Sequence, residues 1–306
     1  MQTKRQIQEL LSAAGVSPNR KLGQHFLVDL NLMRLLIDSA RIGPGDVVLE
    51  IGTGTGSLTE ALAERAGQVV TVELDPTLAG IARSRLAEAR NVRIINGDVL
   101  SSKGTINPTV SEAVTEGRAR LRSIRPIGPI EGRVLLVSNL PYDVASSVMI
   151  NLVKGPMTAD AMFVTVQKEV AERMTAASGS RDYGTLSIFL QATGEVEMLR
   201  RLKPSVFWPP PAVESAMVRY LRDRDKSRRI LDMDLFGAVI GLFIGHRRKM
   251  LRACIKEATP ELGGRDLWPK IFELHGIDAT RRPEELSPQQ YVDLANSCHQ
   301  LMHAHS

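Results

Sequence analysis

The sequence predicts an α/β fold, a mostly parallel sheet with helices on both faces, followed by a small C-terminal α-helical domain. Three observations predict it. Short β-branched runs alternate with amphipathic helical stretches between residues 47 and 176, the rhythm of buried parallel strands joined by crossover helices. A glycine-rich turn, EIGTGTG (50–56), directly follows the first of those strands. Beyond DRDKSRR (223–229) the strand signal stops, and apolar stripes recur at helical spacing over 234–244, 248–258 and 288–302.

Element by element, residues 4–14 read as a short helix stopped by Gly15, with Pro18 in the loop beyond it. After KLGQHFL (21–27), Asp29 is placed to cap a helix over 30–40, whose apolar face is Leu32, Leu35, Leu36 and Ile37. Gly43-Pro44-Gly45 then breaks the chain. The strands are VVLEIG (47–52), QVVTVEL (68–74), VRIINGD (92–98), VLLVSNL (134–140) and AMFVTVQ (161–167), with helices at 57–65, 76–89, 144–154 and 168–176 between and after them. VEMLRRL (196–202) and SAMVRYLR (215–222) read as late, antiparallel additions. Residues 101–133, rich in arginine (Arg118, Arg120, Arg122, Arg125) and proline (Pro108, Pro126, Pro129), are too long for a routine connection and read as an inserted loop with at most a short helix near 110–122. The expected domains are 1–222, carrying the catalytic site, and 223–306.

Composition bounds the function. The chain has 306 residues, of which 43% are hydrophobic and 24% charged, enough for a sizeable core. Its 39 Lys and Arg against 34 Asp and Glu give a net charge of +5, compatible with a nucleic-acid partner bound by phosphate neutralisation. Cys254 and Cys298 are the only cysteines and lie far apart in the sequence, with no disulfide framework or zinc-type spacing, which fits a reducing compartment. The N-terminus lacks an apolar signal core, and no run reaches the ~18 apolar residues of a membrane span. The reading is of a cytoplasmic protein without membrane attachment. His299, His303 and His305 read as an exposed tail, and no metal site is expected.

Three successive strand ends carry ligand-binding chemistry. Gly52, Gly54 and Gly56 allow a tight turn and close approach to a ligand, but their GxGxG spacing matches a dinucleotide fingerprint poorly. Glu73 ends the second strand, where a carboxylate can accept from both ribose hydroxyls. Asp98 ends the third, where it can accept from the exocyclic amine of an adenine. Together they describe a nucleoside site whose acidity also suits a sulfonium cation. Glu50 either steadies the glycine loop by accepting backbone N–H bonds or faces the ligand's positive end; the first reading is favoured.

Asn139-Leu140-Pro141-Tyr142 ends the fourth strand. An adenine amine is a poor nucleophile because its lone pair is delocalised into the ring. Two acceptors holding its N–H protons draw the nitrogen toward tetrahedral geometry and aim the lone pair at a methyl group. The Asn139 side-chain oxygen and the Leu140 carbonyl suit that task if Pro141 fixes the turn, and Tyr142 can stack on an extruded base. Such catalysis is positional and electrostatic and needs no strong base.

With these motifs in hand, the sequence resembles the ribosomal RNA adenine N6,N6-dimethyltransferases, and among them the bacterial small-subunit type. The resemblance runs from about residue 18 to 297, excepting 101–133, and is carried by KLGQHFL, EIGTGTG, VELD (72–75), GD (97–98), NLPY, QKEVAERM (167–174), YGTLSIFLQ (183–191), VFWPPPAVESAMV (206–218), HRRKML (246–251) and RPEELSPQQYVDLAN (282–296). It implies a Rossmann-like class I methyltransferase sheet and S-adenosyl-L-methionine as methyl donor. It implies a donor site lined by His25, Leu27, Gly52, Glu73, Asp98 and Asn139, with Gly54, Leu74 and Val99 beside them. Its product would be dimethyladenosine at two adjacent adenosines of a hairpin near the 3′ end of small-subunit rRNA, formed by a monomer on an assembling small ribosomal subunit. It sets Phe207 opposite Tyr142 across the target adenine; the alternative is that Phe207 or Trp208 plugs the domain junction, and stacking is favoured for Phe207 and a core position for Trp208. Thr53 stands where the family often has proline, and His25 where it often has asparagine.

HRRK (246–249), near a helix start, is the clearest basic cluster; Arg247, Arg248 and Lys249 are expected to grip RNA phosphates, with Lys21, Arg20 and Lys168 extending the surface. Three rivals remain: a large-subunit rRNA adenine methylase of the antibiotic-resistance type, disfavoured by HRRKML and RPEELS; a non-catalytic RNA-binding assembly or transcription factor, disfavoured by intact Glu73, Asp98 and NLPY; and a nicotinamide dehydrogenase, disfavoured by GxGxG.

Overall fold

The computed structural model describes residues 1–19, 22–102, 104–124 and 132–303. The chain divides into two compact units, one of residues 1–171 and 197–221, the other of 172–196 and 222–306. The second thus takes in residues 172–196, which the sequence reading assigned to the first domain.

The first unit is built on a seven-stranded sheet: β1 (Val47–Ile51), β2 (Gln68–Glu73), β3 (Val92–Asn96), β4 (Val134–Asn139), β5 (Ala161–Gln167), β6 (Gly194–Leu202) and β7 (Ser215–Arg222), in the order β3-β2-β1-β4-β5-β7-β6. β3, β2, β1, β4 and β5 are mutually parallel, and β7 runs antiparallel to β5. β1 and β2 are buried at every position, as their unbroken apolar runs require when both faces are covered. Val48 packs into the cluster formed by α2 (Leu30–Ala40) and α3 (Ser57–Ala63), through Leu36, Ile37 and Leu62. The neighbouring Val47 points the other way, toward Gly117 of the helix Pro108–Ile124.

That 17-residue helix contains and extends the short helix expected near 110–122, and corrects the reading of 101–133 as mainly a loop. It packs on β1 and β2, preceded by a small hairpin of Leu100–Ser102 with Thr105–Ile106. Val110, Ala113 and Val114 are buried at helical spacing. The helix lies so close to the sheet that a Cβ on Gly117 would come within 2.9 Å of the Gln68 side chain. Small inward residues allow that approach and also weaken the apolar stripe on which the sequence reading depends. Arg125, Pro126 and Pro129 lie outside the described residues.

The order reverses between β1 and β4, and there the sheet opens. At their amino ends the two strands are clamped: Asp46, 3% exposed, pairs with the Arg133 guanidinium at 2.6 Å. Backbone pairing then runs only from Val47↔Val134 to Leu49↔Leu136. Past it, the Ser138 hydroxyl spans the widening gap, donating to the Ile51 carbonyl at 2.6 Å and accepting from the Ile51 N–H at 3.3 Å. Such a switch point is where open α/β sheets hold their ligands.

The second unit is helical, with principal helices Thr185–Thr193, Met233–Ile244, Gly264–Leu274 and Pro288–His303. Its core is aromatic: Phe243 meets Trp268 edge-to-face at 5.1 Å and lies 6.1 Å from Phe272 and 6.4 Å from Tyr291. The Trp268 indole donates to the Leu262 carbonyl at 3.1 Å, and the Tyr183 hydroxyl to the Leu286 carbonyl at 2.9 Å, so both buried donors are satisfied. The last helix carries His299 and His303 in regular structure rather than in a frayed tail; His305 lies outside the described residues. No described helix is long and apolar enough to cross a membrane. Trp268→Ala, which removes a fully buried ring, is expected to destabilise the helical unit by about 3–5 kcal/mol. An earlier urea midpoint followed by far-ultraviolet circular dichroism would show it, and an unchanged midpoint would contradict this core assignment.

Candidate active site

A cleft of about 150 Å³ opens at the carboxyl ends of β1, β2 and β4, wholly within the first unit. Its lining includes His25, Leu27, Gly52, Gly54, Glu73, Leu74, Asp98, Val99, Asn139, Leu140, Pro141 and Tyr142. The sequence-predicted donor residues and the NLPY tetrapeptide therefore meet around one cleft.

The glycine loop turns under the cleft with positive φ at Gly52 (86°) and Gly54 (55°), a region that L side chains rarely adopt. A Cβ on Gly52 would approach the Pro141 ring at 3.3 Å, and one on Gly54 the Phe26 ring at 3.0 Å. Both glycines thus let a ring close over the loop. Glu73, not Glu50, braces it: Oε2 of Glu73 accepts from the Gly54 N–H at 2.7 Å and Oε1 from the Asp75 N–H at 2.9 Å. Burial raises the Glu73 pKa, and these backbone donors oppose the rise. Glu50 instead accepts the hydroxyls of Thr59 and Thr71, which corrects its favoured role as the loop's anchor. Asp98 is exposed at the end of β3 and accepts from the Leu100 N–H at 2.9 Å. Leu74 is half exposed at the rim, and Val99 is buried beside it in sequence behind Asp98.

Asn139 is held at both ends of its amide. Its Nδ2 donates to the His25 carbonyl at 2.8 Å, and its Oδ1 accepts from the Thr165 hydroxyl of neighbouring β5. A carbonyl can only accept, so the amide has one orientation, and Oδ1 keeps one lone pair. The Leu140 side chain is buried, and its N–H pairs with the Thr165 carbonyl. The Tyr142 hydroxyl is bonded to Ser215 Oγ at 2.6 Å. Burial raises its pKa against that bond, which keeps the phenol neutral.

His25 donates from Nδ1 to the Pro209 carbonyl at 2.7 Å and stacks on Tyr142 with ring centroids 5.8 Å apart. One face of the Tyr142 ring is therefore covered by His25.

Phe207 is not part of this site. It is 3% exposed and packs in the core with Leu27 and Met217. The reason is strand parity. A two-residue ribbon pairs Phe26 with Trp208 and Leu27 with Phe207. Leu27 and Phe207 share the face toward the core, while Phe26 and Trp208 stack at 6.2 Å on the other. The expected stacking of Phe207 against Tyr142 is thus corrected, and the ring the sequence reading missed at the cleft is Phe26.

Also missed was the N-terminal segment. The Gln2 backbone N–H donates to Ser57 Oγ at 2.7 Å. Its side-chain amide, with the oxygen toward the Arg85 guanidinium and the nitrogen toward the Thr55 hydroxyl, fills the space behind the glycine loop. Ile7 of α1 (Lys4–Ala13) reaches the cleft wall.

The basic cluster lies in the turn between the helix Met233–Ile244 and the start of the short helix Leu251–Cys254, near a helix start as expected. Arg247 is half-buried and bound to Glu284 through Nε at 2.9 Å and Nη2 at 2.8 Å, so its expected role on phosphate is replaced by an internal ion pair. Arg248 is exposed; Lys249 is also exposed, with Glu257 3.7 Å away. Lys168 pairs with Glu214 at 3.0 Å. Arg20 and Lys21 lie outside the described residues.

Against known proteins, residues 15–300 match the family model for ribosomal RNA adenine dimethylase. The chain is 36% identical over 292 residues to the ribosomal RNA small subunit methyltransferase A of Pelotomaculum thermopropionicum, covering 95% of each chain. It is 34% identical to that of Bacillus cytotoxicus, covering 96% of each. In fold it is similar to a dimethyladenosine transferase from Plasmodium falciparum, with a TM-score of 0.64 at 21% identity over 86% of this chain and 94% of that one. It is also similar to the 23S rRNA methyltransferase ErmE, with a TM-score of 0.58 at 22% identity over 90% of this chain and all of the other. A match across nearly the whole chain, joined to the cleft described above, establishes that the chain belongs to the ribosomal RNA adenine dimethylase family.

Proposed function

We propose that the protein transfers methyl groups from S-adenosyl-L-methionine to the N6 amines of two adjacent adenosines in a 3′-end hairpin of small-subunit rRNA, giving dimethyladenosine. The observation that carries this reading is the doubly held Asn139 amide, which keeps an acceptor oxygen at the cleft beside the glycine loop and Glu73. The small-subunit assignment is supported by relatives 33–36% identical that are named for that subunit.

The cleft suits the donor. Glycines leave space over the loop, Glu73 is placed at the end of β2 to accept from ribose hydroxyls, and Asp98 at the end of β3 to accept from an adenine amine. The donor supplies an electrophilic methyl on a sulfonium. Asn139 Oδ1 and the Leu140 carbonyl accept hydrogen bonds from the two N–H groups of the target amine and orient its lone pair. Thr165 polarises and fixes Oδ1. Tyr142 offers its other face to the swung-out base, a contact worth about 1–3 kcal/mol. After transfer the nitrogen's extra proton becomes acidic and leaves to solvent, so no buried base is required. On this reading residues of the first unit carry catalysis, and Arg248 and Lys249 of the helical unit contact RNA phosphates. The protein acts as a monomer in the cytoplasm on an assembling small subunit.

Labelled methyl transfer to undermethylated small subunits, followed by mapping of the modified nucleotides, tests the proposal; incorporation elsewhere, or none, would overturn it. Asn139→Ala should lower kcat by about 10²-fold or more while donor affinity stays measurable. Thr165→Val, which releases one hydrogen bond to Oδ1, should lower kcat by about two- to tenfold with donor Kd unchanged; an equal change in both would place Thr165 outside the methyl-transfer step. Gln2→Ala should show the opposite split, raising donor Kd by about two- to tenfold with little change in kcat, readable by equilibrium binding of S-adenosylhomocysteine.

A further inference from the structure

Glu50 is a carboxyl without a cation. It is 1% exposed and lines the cleft. Its Oε2 accepts the hydroxyls of Thr59 at 2.6 Å and Thr71 at 2.7 Å. Because Thr71 gives its only hydroxyl proton to Glu50, the 2.6 Å contact between Thr53 and Thr71 must be donated by Thr53. A relay of hydroxyls thus runs from Thr53, in the glycine loop, through Thr71 to Glu50. Among the described residues, nothing donates to Oε1, and no lysine, arginine or histidine pairs with this carboxylate.

Two buried acids therefore share the cleft. Glu73 receives two backbone N–H bonds, which favour its ionised form. Glu50 has only neutral hydroxyls, fully buried surroundings and the negative charge of Glu73 on adjacent β2. Of the pair, Glu50 is the one that keeps a proton.

We infer that Glu50 is a carboxylic acid in the empty cleft and ionises when the cationic methyl donor enters, so that donor binding releases a proton. The inference rests on the donor assignment above and extends it to the protonation of this residue. Burial pushes the Glu50 pKa up to about 8, with the two threonine bonds opposing and the Glu73 charge adding to the rise. The donor's positive charge lowers it. Affinity then increases with pH, by up to about tenfold per unit, between the donor-bound and donor-free pKa values, and levels off above the latter. Glu73 is the ionisable group acting on Glu50 from β2, Thr71 faces it from the same strand, and Thr59 faces it from α3; both threonines are uncharged.

The test is calorimetric titration of S-adenosylmethionine into the full chain near pH 7, in buffers of different ionisation enthalpy. The expected result is release of close to one proton beyond that released by Glu50→Gln, with the pH dependence of affinity flattened in the variant. The donor's own amino group titrates equally in both proteins and cancels in the comparison. Difference infrared spectroscopy gives a second reading that needs no variant: the protonated-carboxyl band should be lost on donor binding. S-adenosylhomocysteine, which lacks the sulfonium charge, should release fewer protons. Binding with equal proton counts in parent and variant, or with the carboxyl band intact, overturns the inference and leaves the methyl-transfer reading standing. Absence of any donor binding would instead overturn that reading.

Discussion

The site depends on where two neighbouring strands stop pairing. β1 and β4 are locked at their amino ends by Asp46 and Arg133 and share a ladder only as far as Leu49 and Leu136. Ser138 then replaces main-chain pairing with a hydroxyl, so both strands keep their hydrogen bonds while their ends diverge. Had the ladder continued, Gly52 and Asn139 would lie side by side in a closed sheet. Because it ends, the glycine loop turns one way, the tetrapeptide the other, and a cleft remains between them.

Around that opening, fixed orientation matters more than strong charge. The groups around the cleft are held from behind: Gly54 by a hydrogen bond to Glu73, Asn139 by hydrogen bonds with His25 and Thr165, and Tyr142 by a hydrogen bond with Ser215 and the stacked ring of His25. Dipoles set in advance need not reorganise as charge moves, and that suits a reaction whose nucleophile is neutral and whose electrophile brings its own positive charge. The acids are graded to match, one braced by backbone N–H groups and the other left with hydroxyls alone.

Much of this was legible in the sequence, for identifiable reasons. Strands buried on both faces announce themselves as unbroken apolar runs, and β1, β2, β4 and β5 lie within a residue or two of their predicted positions. The strand-end motifs could be placed because each belongs to one strand. What failed needed a partner distant in sequence. The direction of Phe207 is set by pairing with Leu27, and without that register either face of VFW is plausible. Glu50 and Glu73 are both acids at strand ends, and only the fold decides which one reaches Gly54. Arg247 looks like its neighbours in a basic run until Glu284 is brought beside it. The helix Pro108–Ile124 was obscured by its own tight docking, since the small residues that let it approach the sheet carry little hydrophobic signal.

The ribbon joining Phe26–Leu27 to Phe207–Trp208 ties an early segment of the chain to one about 180 residues later. His25 reaches Pro209 across the same seam and also holds the Asn139 amide through its carbonyl. A nascent chain emerging from the ribosome therefore has most of the sheet in hand before it can complete the active-site wall. Contacts of such long range form late and slowly. The bracing of the cleft wall at residues 25–27 thus waits on residues 207–209, close to the end of the first unit.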